Sequence, residues 1–246
     1  MQSKQLSQLF EVTRMKRSIT ISICLLLLAV SCLAQKEKDA AKPWPEWSKE
    51  DVDKMLNKSP WGHVITNTDT SEMTATLGVS RGDQGSNNQA ISWNYRVRFF
   101  SAKPIREAFA RKLLLDNPAL KPQQLENFVN GDYSDSIVVA VVYEATDRRY
   151  LAEREKAFNF ATTEQLASTV FLELKNGKRI PLTEYAPPTK DGTGAKFVFP
   201  RTINGTPYIT DEKDVIRFVA NMANTGIGFE YRFKLADMTY DGKLEY

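Results

Sequence analysis

Along residues 91–99 apolar and polar positions alternate, with Ile91, Trp93, Tyr95, Val97 and Phe99 set against Ser92, Asn94, Arg96 and Arg98. A period of two predicts a half-buried strand. From Ile105 to Leu115 the spacing becomes helical. Ile105, Ala108, Phe109 and Leu113 share one face, Leu114 and Leu115 widen it, and Glu107 and Arg111 are placed to pair across one turn. Pro104 suits the first turn of this helix and Asn117-Pro118 ends it. A shorter helix is predicted from Pro122, with Leu120 stapled to Leu125, with Leu125, Phe128 and Val129 facing inward, and with Gly131 as C-cap. The run Ile137-Val-Val-Ala-Val-Val-Tyr143 then predicts a strand buried on both faces. Strand, two helices and strand between Ile91 and Ala145 form the unit around which the rest is organised.

Upstream, Ser48-Lys-Glu-Asp51 has the form of a capping box, and Trp47 before it is placed to staple onto Val52. Val52, Met55 and Leu56 give this N-terminal helix its own apolar face, so it is expected to dock as a flap, ending at Ser59-Pro60. Met73–Val79 alternates as a strand and Arg81–Gln89 has loop composition. Downstream the chain is mainly β. Asp147–Phe160 favours helix by composition but has sparse apolar positions. Ser168–Leu174 and Lys178–Tyr185 form a hairpin about Asn176-Gly177. Ala186–Gly194 is a loop, Lys196–Phe199 a strand, Asn204-Gly205 a turn, and Val215–Ala220 either a strand or a short helix. Gly228–Leu235 alternates as a strand, and Asp241-Gly242 turns it toward Leu244–Tyr246. The expected fold is mainly β, of α+β type: an antiparallel, sandwich-like domain with two short helices inserted between central strands and an N-terminal capping helix.

The N-terminus alters the reading of composition. Met15-Lys-Arg17, the apolar run Ile19–Val30 and the small residues before Gln35 have the layout of a secretory signal, and the run is short for a membrane span. A retained N-terminal anchor is the alternative. Residues 1–34 are therefore read as a signal peptide with an extended n-region, or with Met15 as the true start. Residues 35–47 are read as a linker and 48–246 as a single β-rich domain. Cleavage after Ala34 gives a soluble product. Ala29-Val-Ser-Cys32 is a loose lipobox that would make Cys32 a lipid anchor. The chain has 33 basic and 30 acidic residues, but Lys4, Arg14, Lys16, Arg17 and the single acid Glu11 belong to the leader, so its removal equalises the two counts. The apparent basicity is one of targeting, and no nucleic-acid partner is expected. Both cysteines, Cys24 and Cys32, also lie in the leader. Without disulfides, roughly 210 mature residues must hold together by an apolar core.

Few residues point to chemistry. Gly78-Val-Ser80-Arg-Gly82 matches the nucleophile-elbow pattern, but a loop follows it where a helix is required. The only histidine, His63, precedes Ser80, the wrong order for that fold. One His and no mature Cys leave zinc without its usual ligands, and Asp132 and Asp135 match no EF-hand; no cofactor is expected. Arg81-Gly82-Asp83 is the tripeptide that integrins read and equally good turn composition. Asp191-Gly-Thr-Gly194 lacks the lysine of a P-loop and fits a hairpin loop. Asn204-Gly-Thr206 is a glycosylation sequon, meaningful only in a eukaryotic secretory pathway. Trp44, Trp47 and Trp61 either pack and staple or form a stacking surface for a ligand.

Trp47–Trp61 together with Ser101-Ala-Lys-Pro-Ile-Arg-Glu-Ala108 resembles a family of exported bacterial proteins with no assigned activity. The resemblance implies a bacterial envelope setting, periplasmic or extracellular, and carries over no site residues. The expected function is non-catalytic: binding an envelope or protein partner, or a structural role, with membrane contact only through the signal or a lipid anchor. A carboxylate-dependent hydrolase acting on envelope polymers is the alternative. The mature chain should begin at Gln35 or at an acylated Cys32. Intact-mass measurement of the exported protein checks this, and a mass that includes residues 15–30 overturns both.

Overall fold

The computed structural model describes residues 42–69, 91–146, 150–222 and 225–246. The leader with Cys24 and Cys32, the expected strand Met73–Val79 and the expected loop Arg81–Gln89 lie outside the described residues. The described compact unit begins at Trp44, so Trp44–Trp47 belongs to the domain and not to the linker.

Helix α1 (Lys49–Asn57) starts as its sequence dictates. Ser48 Oγ accepts from Asp51 N at 3.1 Å and Asp51 Oδ2 accepts from Ser48 N at 2.9 Å. This reciprocal box satisfies two donors that the first helical turn leaves free. Trp47 and Val52 are both buried, as a staple requires. The short β1 (Lys58–Ser59) turns back into β2 (Gly62–Asp69). Gly62 is needed there, because a Cβ would lie 2.3 Å from the Leu56 carbonyl oxygen.

β3 (Ile91–Phe99) is followed by α2 (Lys103–Asp116) and α3 (Glu126–Val129), the latter entered through a 3-10 turn at Pro122–Leu125, and then by β4 (Ser136–Ala145). α4 (Leu151–Phe160) and α5 (Thr163–Leu166) come next, so the described part of the ambiguous segment is helical over Leu151–Phe160. Apart from a 3-10 turn at Leu235–Asp237, the remaining elements are strands: β5 (Val170–Leu174), β6 (Arg179–Pro181), β7 (Glu184–Ala186), β8 (Ala195–Pro200), β9 (Thr202–Ile203), β10 (Thr206–Pro207), β11 (Val215–Met222), β12 (Ile227–Lys234), β13 (Thr239–Tyr240) and β14 (Lys243–Leu244). The fold is a mixed domain of antiparallel sheets with short helices between strands.

One sheet has six strands in the order β1-β2-β3-β4-β8-β7, and the other has four in the order β12-β11-β5-β6. In the first, Trp93, Tyr95, Val97 and Phe99 share a face with Val139 and Val141 across the β3–β4 register and with Phe197 and Phe199 of β8. Rings from that face meet rings of the second sheet: Tyr95 stacks on Phe229 at 4.3 Å, Phe99 lies edge-on to Phe233 at 4.7 Å, and Phe197 meets Phe218 at 5.5 Å. On one side Asn67 of β2 donates to the Gly228 carbonyl of β12 at 3.1 Å, and His63 stacks on Tyr231 at 4.0 Å. On the other side the chain itself changes sheets between β6 and β7. Pro181, which has no N–H for a ladder, closes β6 at the sheet edge, where such a residue is tolerated.

Asx-Gly pairs make the turns in two ways. Asn204-Gly205 and Asp241-Gly242 have positive φ at both residues, as a two-residue hairpin turn requires. At Asn176-Gly177 only the glycine does, and the loop is three residues long. Gly194 combines φ +89 with a Cβ position 2.3 Å from the Val141 carbonyl oxygen, so only glycine brings this loop against β4.

The central helix differs from its expected amphipathic pattern. Residues Pro104–Ala110 are buried on every side, Arg106 and Glu107 included, whereas Leu113 is 41% exposed. The first turns lie among α1, α3 and the C-terminal residues, whereas from Arg111 onward only Leu114 is buried. Glu107 and Arg111 do not pair. Arg111 donates to the Trp47 carbonyl at 2.6 Å, and Glu107 accepts from the Tyr240 hydroxyl, with Lys103 Nζ 3.8 Å away. Gly131 is not a left-handed cap; α3 ends at Asn130, whose N–H bonds Glu126 O.

The C-terminal residues strap this region. Glu245 accepts from Lys103 N through its carboxylate and from Trp61 Nε1 through its carbonyl, and Arg201 donates to Tyr246 O. Phe109 is 6% exposed beside Phe100. Phe109→Ala should cost about 3–5 kcal/mol in urea melts, and a loss below about 1 kcal/mol would show that the ring carries no packing.

Burial raises the Glu107 carboxyl above the ordinary carboxylate range, against the opposing pull of the Tyr240 hydroxyl and Lys103. The folded chain then holds this proton more tightly than the unfolded chain. That contribution to stability is complete below the ordinary carboxylate pKa and is lost as pH rises through the raised value. Glu107→Gln keeps an acceptor for Tyr240 and removes the titration. Relative to wild type, the variant should be more stable at about pH 7 than at about pH 4. Equal differences in urea melts at the two pH values would refute a raised Glu107.

Candidate functional site

The polar positions of β3 face away from the second sheet. Asn94, Arg96 and Arg98 point there, opposite Glu144, Val142 and Ala140 of β4 in the antiparallel register. Half of this outer face is roofed by α1 and α2. Between roof and sheet lies a cleft of about 500 Å³, with Val52, Leu56, Phe109, Leu115 and Val142 as its apolar wall. Gly192, from the loop before β8, closes one side.

Arg96 is held by a two-pronged bond to Glu144: Nε to Oε1 at 3.2 Å and Nη2 to Oε2 at 2.8 Å. Two parallel bonds fix the plane of the guanidinium as well as its position. Arg98 is 5% exposed. Its Nε donates to the Leu56 carbonyl at 2.9 Å and its Nη2 to Asn57 Oδ1 at 2.9 Å, and its Cζ lies 5.3 Å from the centre of the Phe109 ring. Asn57 is oriented in turn by Asp53, whose Oδ1 accepts from Asn57 Nδ2 at 2.7 Å. Asp53, Asn57 and Arg98 thus form one chain of hydrogen bonds at the C-terminal end of α1, where a cation also meets the negative end of the helix dipole. Desolvation, and secondarily Arg96, lower the Arg98 pKa to about 10, while Glu144 and Asp53 oppose the shift. Arg98 remains charged at neutral pH. Among the described residues no carboxylate lies within ion-pair distance of it. On the rim, Lys112 pairs with Asp116 at 2.7 Å.

Gly192 apart, the described residues singled out from the sequence as site candidates lie outside the cleft lining. Trp47 and Trp61 are buried, at 8% and 5% exposure, and Trp44 is half-buried. Trp61 donates to Glu245 O and stands edge-on to Tyr240 at 6.0 Å. Trp47 staples α1 and passes its carbonyl to Arg111. Packing holds these rings: Trp47 and Trp61 belong to the core and Trp44 packs against it. Cys32, the Gly78–Gly82 motif with Ser80, and Arg81–Asp83 lie outside the described residues. His63 is half-buried against Tyr231, and burial lowers its pKa. Asp132 caps its own turn by accepting from Ser134 N at 2.9 Å. Asp191 accepts from Thr193 N and Oγ1, and Lys196 ties down Thr193, so the Asp191–Gly194 loop is closed on itself. Among the described residues no group of three or more His, Cys, Asp or Glu is placed to hold a metal ion.

Arg96, Arg98 and Asn57 were not singled out beforehand. The alternation of β3 assigned both arginines to a polar face. Only the docking of α1 by its own apolar side buries one of them, and no local pattern says over which strand that helix lies. Comparisons with protein-family models, curated proteins and solved structures found no match to this chain.

Proposed function

We propose that the chain is an exported, non-catalytic binding domain of the bacterial envelope, built as a sandwich of the two sheets, with the cleft beneath α1 and α2 as its ligand site. The signal layout of residues 1–34 supports export. The ring contacts between the sheets and the Asn67–Gly228 bond support a sandwich. The observation that carries the binding reading is the pre-formed polar floor of the cleft: Arg96 is locked by Glu144 and Arg98 by Leu56 and Asn57, under an apolar wall. A concave, largely apolar site with a few fixed polar groups is the usual form of a small-molecule site, and about 500 Å³ lies within the usual range.

The hydrolase alternative would draw on Asp53, Asp116 and Glu144 in the same cleft. Each is engaged, by Asn57, Lys112 and Arg96 respectively. None of the three is free of a protein partner, which favours binding.

Val142 is half-exposed on the cleft floor, and Val142→Trp would fill it. The wild-type chain and this variant, each passed through a bacterial envelope extract, should differ in the small molecules they retain, as read by mass spectrometry. Retention by wild type alone is expected. The same set on both proteins, or nothing on either, overturns the reading.

A further inference from the structure

Charge pairing inside the cleft is uneven. Arg96 is neutralised by Glu144 and Lys112 by Asp116, and Asp53 is turned onto Asn57. Arg98 and Lys49 remain, and neither makes an ion pair among the described residues. Lys49 is exposed at the rim and solvated. Arg98 is buried, its bonds run from Nε and Nη2 to neutral oxygens, and Nη1 has no acceptor among the described residues. Buried charges in proteins are ordinarily paired, because desolvating an ion costs far more than neutral hydrogen bonds return. A desolvated cation of this kind, lining an open cleft, offers a bound anion a full charge and a fixed planar donor.

The surroundings constrain the rest of the ligand. Val52, Leu56, Phe109 and Val142 line the space around the guanidinium, and Leu115, 38% exposed, stands at the mouth. A compact inorganic anion would leave the accessible part of this lining, mainly Val142 and Leu115, in contact with water. A chain or ring attached to the anion would cover them, each buried methylene contributing about 0.8 kcal/mol.

Resting on the binding reading above, we infer that the cleft takes an amphipathic anion: a carboxylate or phosphate head on Arg98, with Lys49 drawing it in, and an aliphatic body against Val52, Leu56, Phe109 and Val142. Arg98 is then a specificity residue. Arg96 is a positioning element, because its charge is spent on Glu144.

The test uses the purified full chain and four probes below their micelle concentrations: decanoate, decyl phosphate, decanol and decyltrimethylammonium. Calorimetry should show one or both anions binding at least tenfold tighter than decanol or the cation, about 1.4 kcal/mol. The tighter of the two anions identifies the head. Arg98→Met should abolish the preference. Since Arg98 also holds the end of α1, a second variant is needed that leaves the fold alone. Leu115→Glu places a carboxylate at the exposed mouth and should weaken the anions several-fold without weakening decanol. Decanol binding as tightly as the anions, and lost in Val142→Trp, would overturn the anion assignment while the cleft stands. Anion binding unchanged by Arg98→Met, Leu115→Glu and Val142→Trp together would place the probes elsewhere and overturn both. A preference for the cationic probe, or no binding by any probe, overturns the inference.

Discussion

The domain depends on the burial of β4 on both faces. Residues Ile137–Val141 are excluded from water whichever way their side chains point. A strand of this kind cannot be an edge, and it pairs with β3 on one side and β8 on the other. Nor can either of its faces stay uncovered. Val139 and Val141 lie among the rings of β3 and β8 that meet the second sheet, and Val138 and Ala140 are covered on the opposite side. The long helix and the second sheet are thus two answers to one requirement.

The covering of the outer face brings charge into the interior. Arg98, Arg106 and Glu107 are all buried within a few residues of one another in sequence, yet no two of them pair. Arg106 donates to the carbonyls of Ser101, Phe100 and Val129 and lies 4.6 Å from the Tyr133 ring, fastening the start of α2 and the end of α3. Glu107 takes the Tyr240 hydroxyl and so anchors the C-terminal strap. Arg98 takes the end of α1. Each bonds a different segment, Arg106 to Val129, Glu107 to Tyr240 and Arg98 to Leu56, so each fixes the position of one covering element. Apolar contact alone is non-directional and would leave those elements free to slide.

This division explains what the sequence made legible. The periods of β3 and β4 and the capping box of α1 are local, and all appear in the structure. The hairpin turns follow from Asx-Gly chemistry, although at Asn176 the turn is wider than a two-residue one. Leu113 was misassigned because helical spacing identifies a face but not the length over which neighbours cover it. The Glu107–Arg111 pair failed because both partners are engaged by distant groups, the Tyr240 hydroxyl and the Trp47 carbonyl. The tryptophans were legible as anchors or as a surface, and the apolar demand of a disulfide-free core decided for anchors. The cleft was not legible at all, since its walls come from α1, α2, β3, β4 and the loop at Gly192, brought together only by tertiary packing.

Arg98 is the point where packing and recognition meet. Replacing buried ionic groups with well-packed apolar ones is often neutral or stabilising, so the end of α1 did not require a guanidinium. A leucine or methionine at that position would lie against Phe109 and Leu56 and leave Arg96 as the one arginine in the cleft lining. The arginine instead holds the helix by its terminal carbonyl and by Asn57, and its side chain forms part of the cleft lining. Asp53 orients Asn57 from the far side, which keeps the acceptor turned toward the arginine without bringing a carboxylate into contact with it. That arrangement secures α1 while leaving Arg98, among the described residues, without a contacting acid.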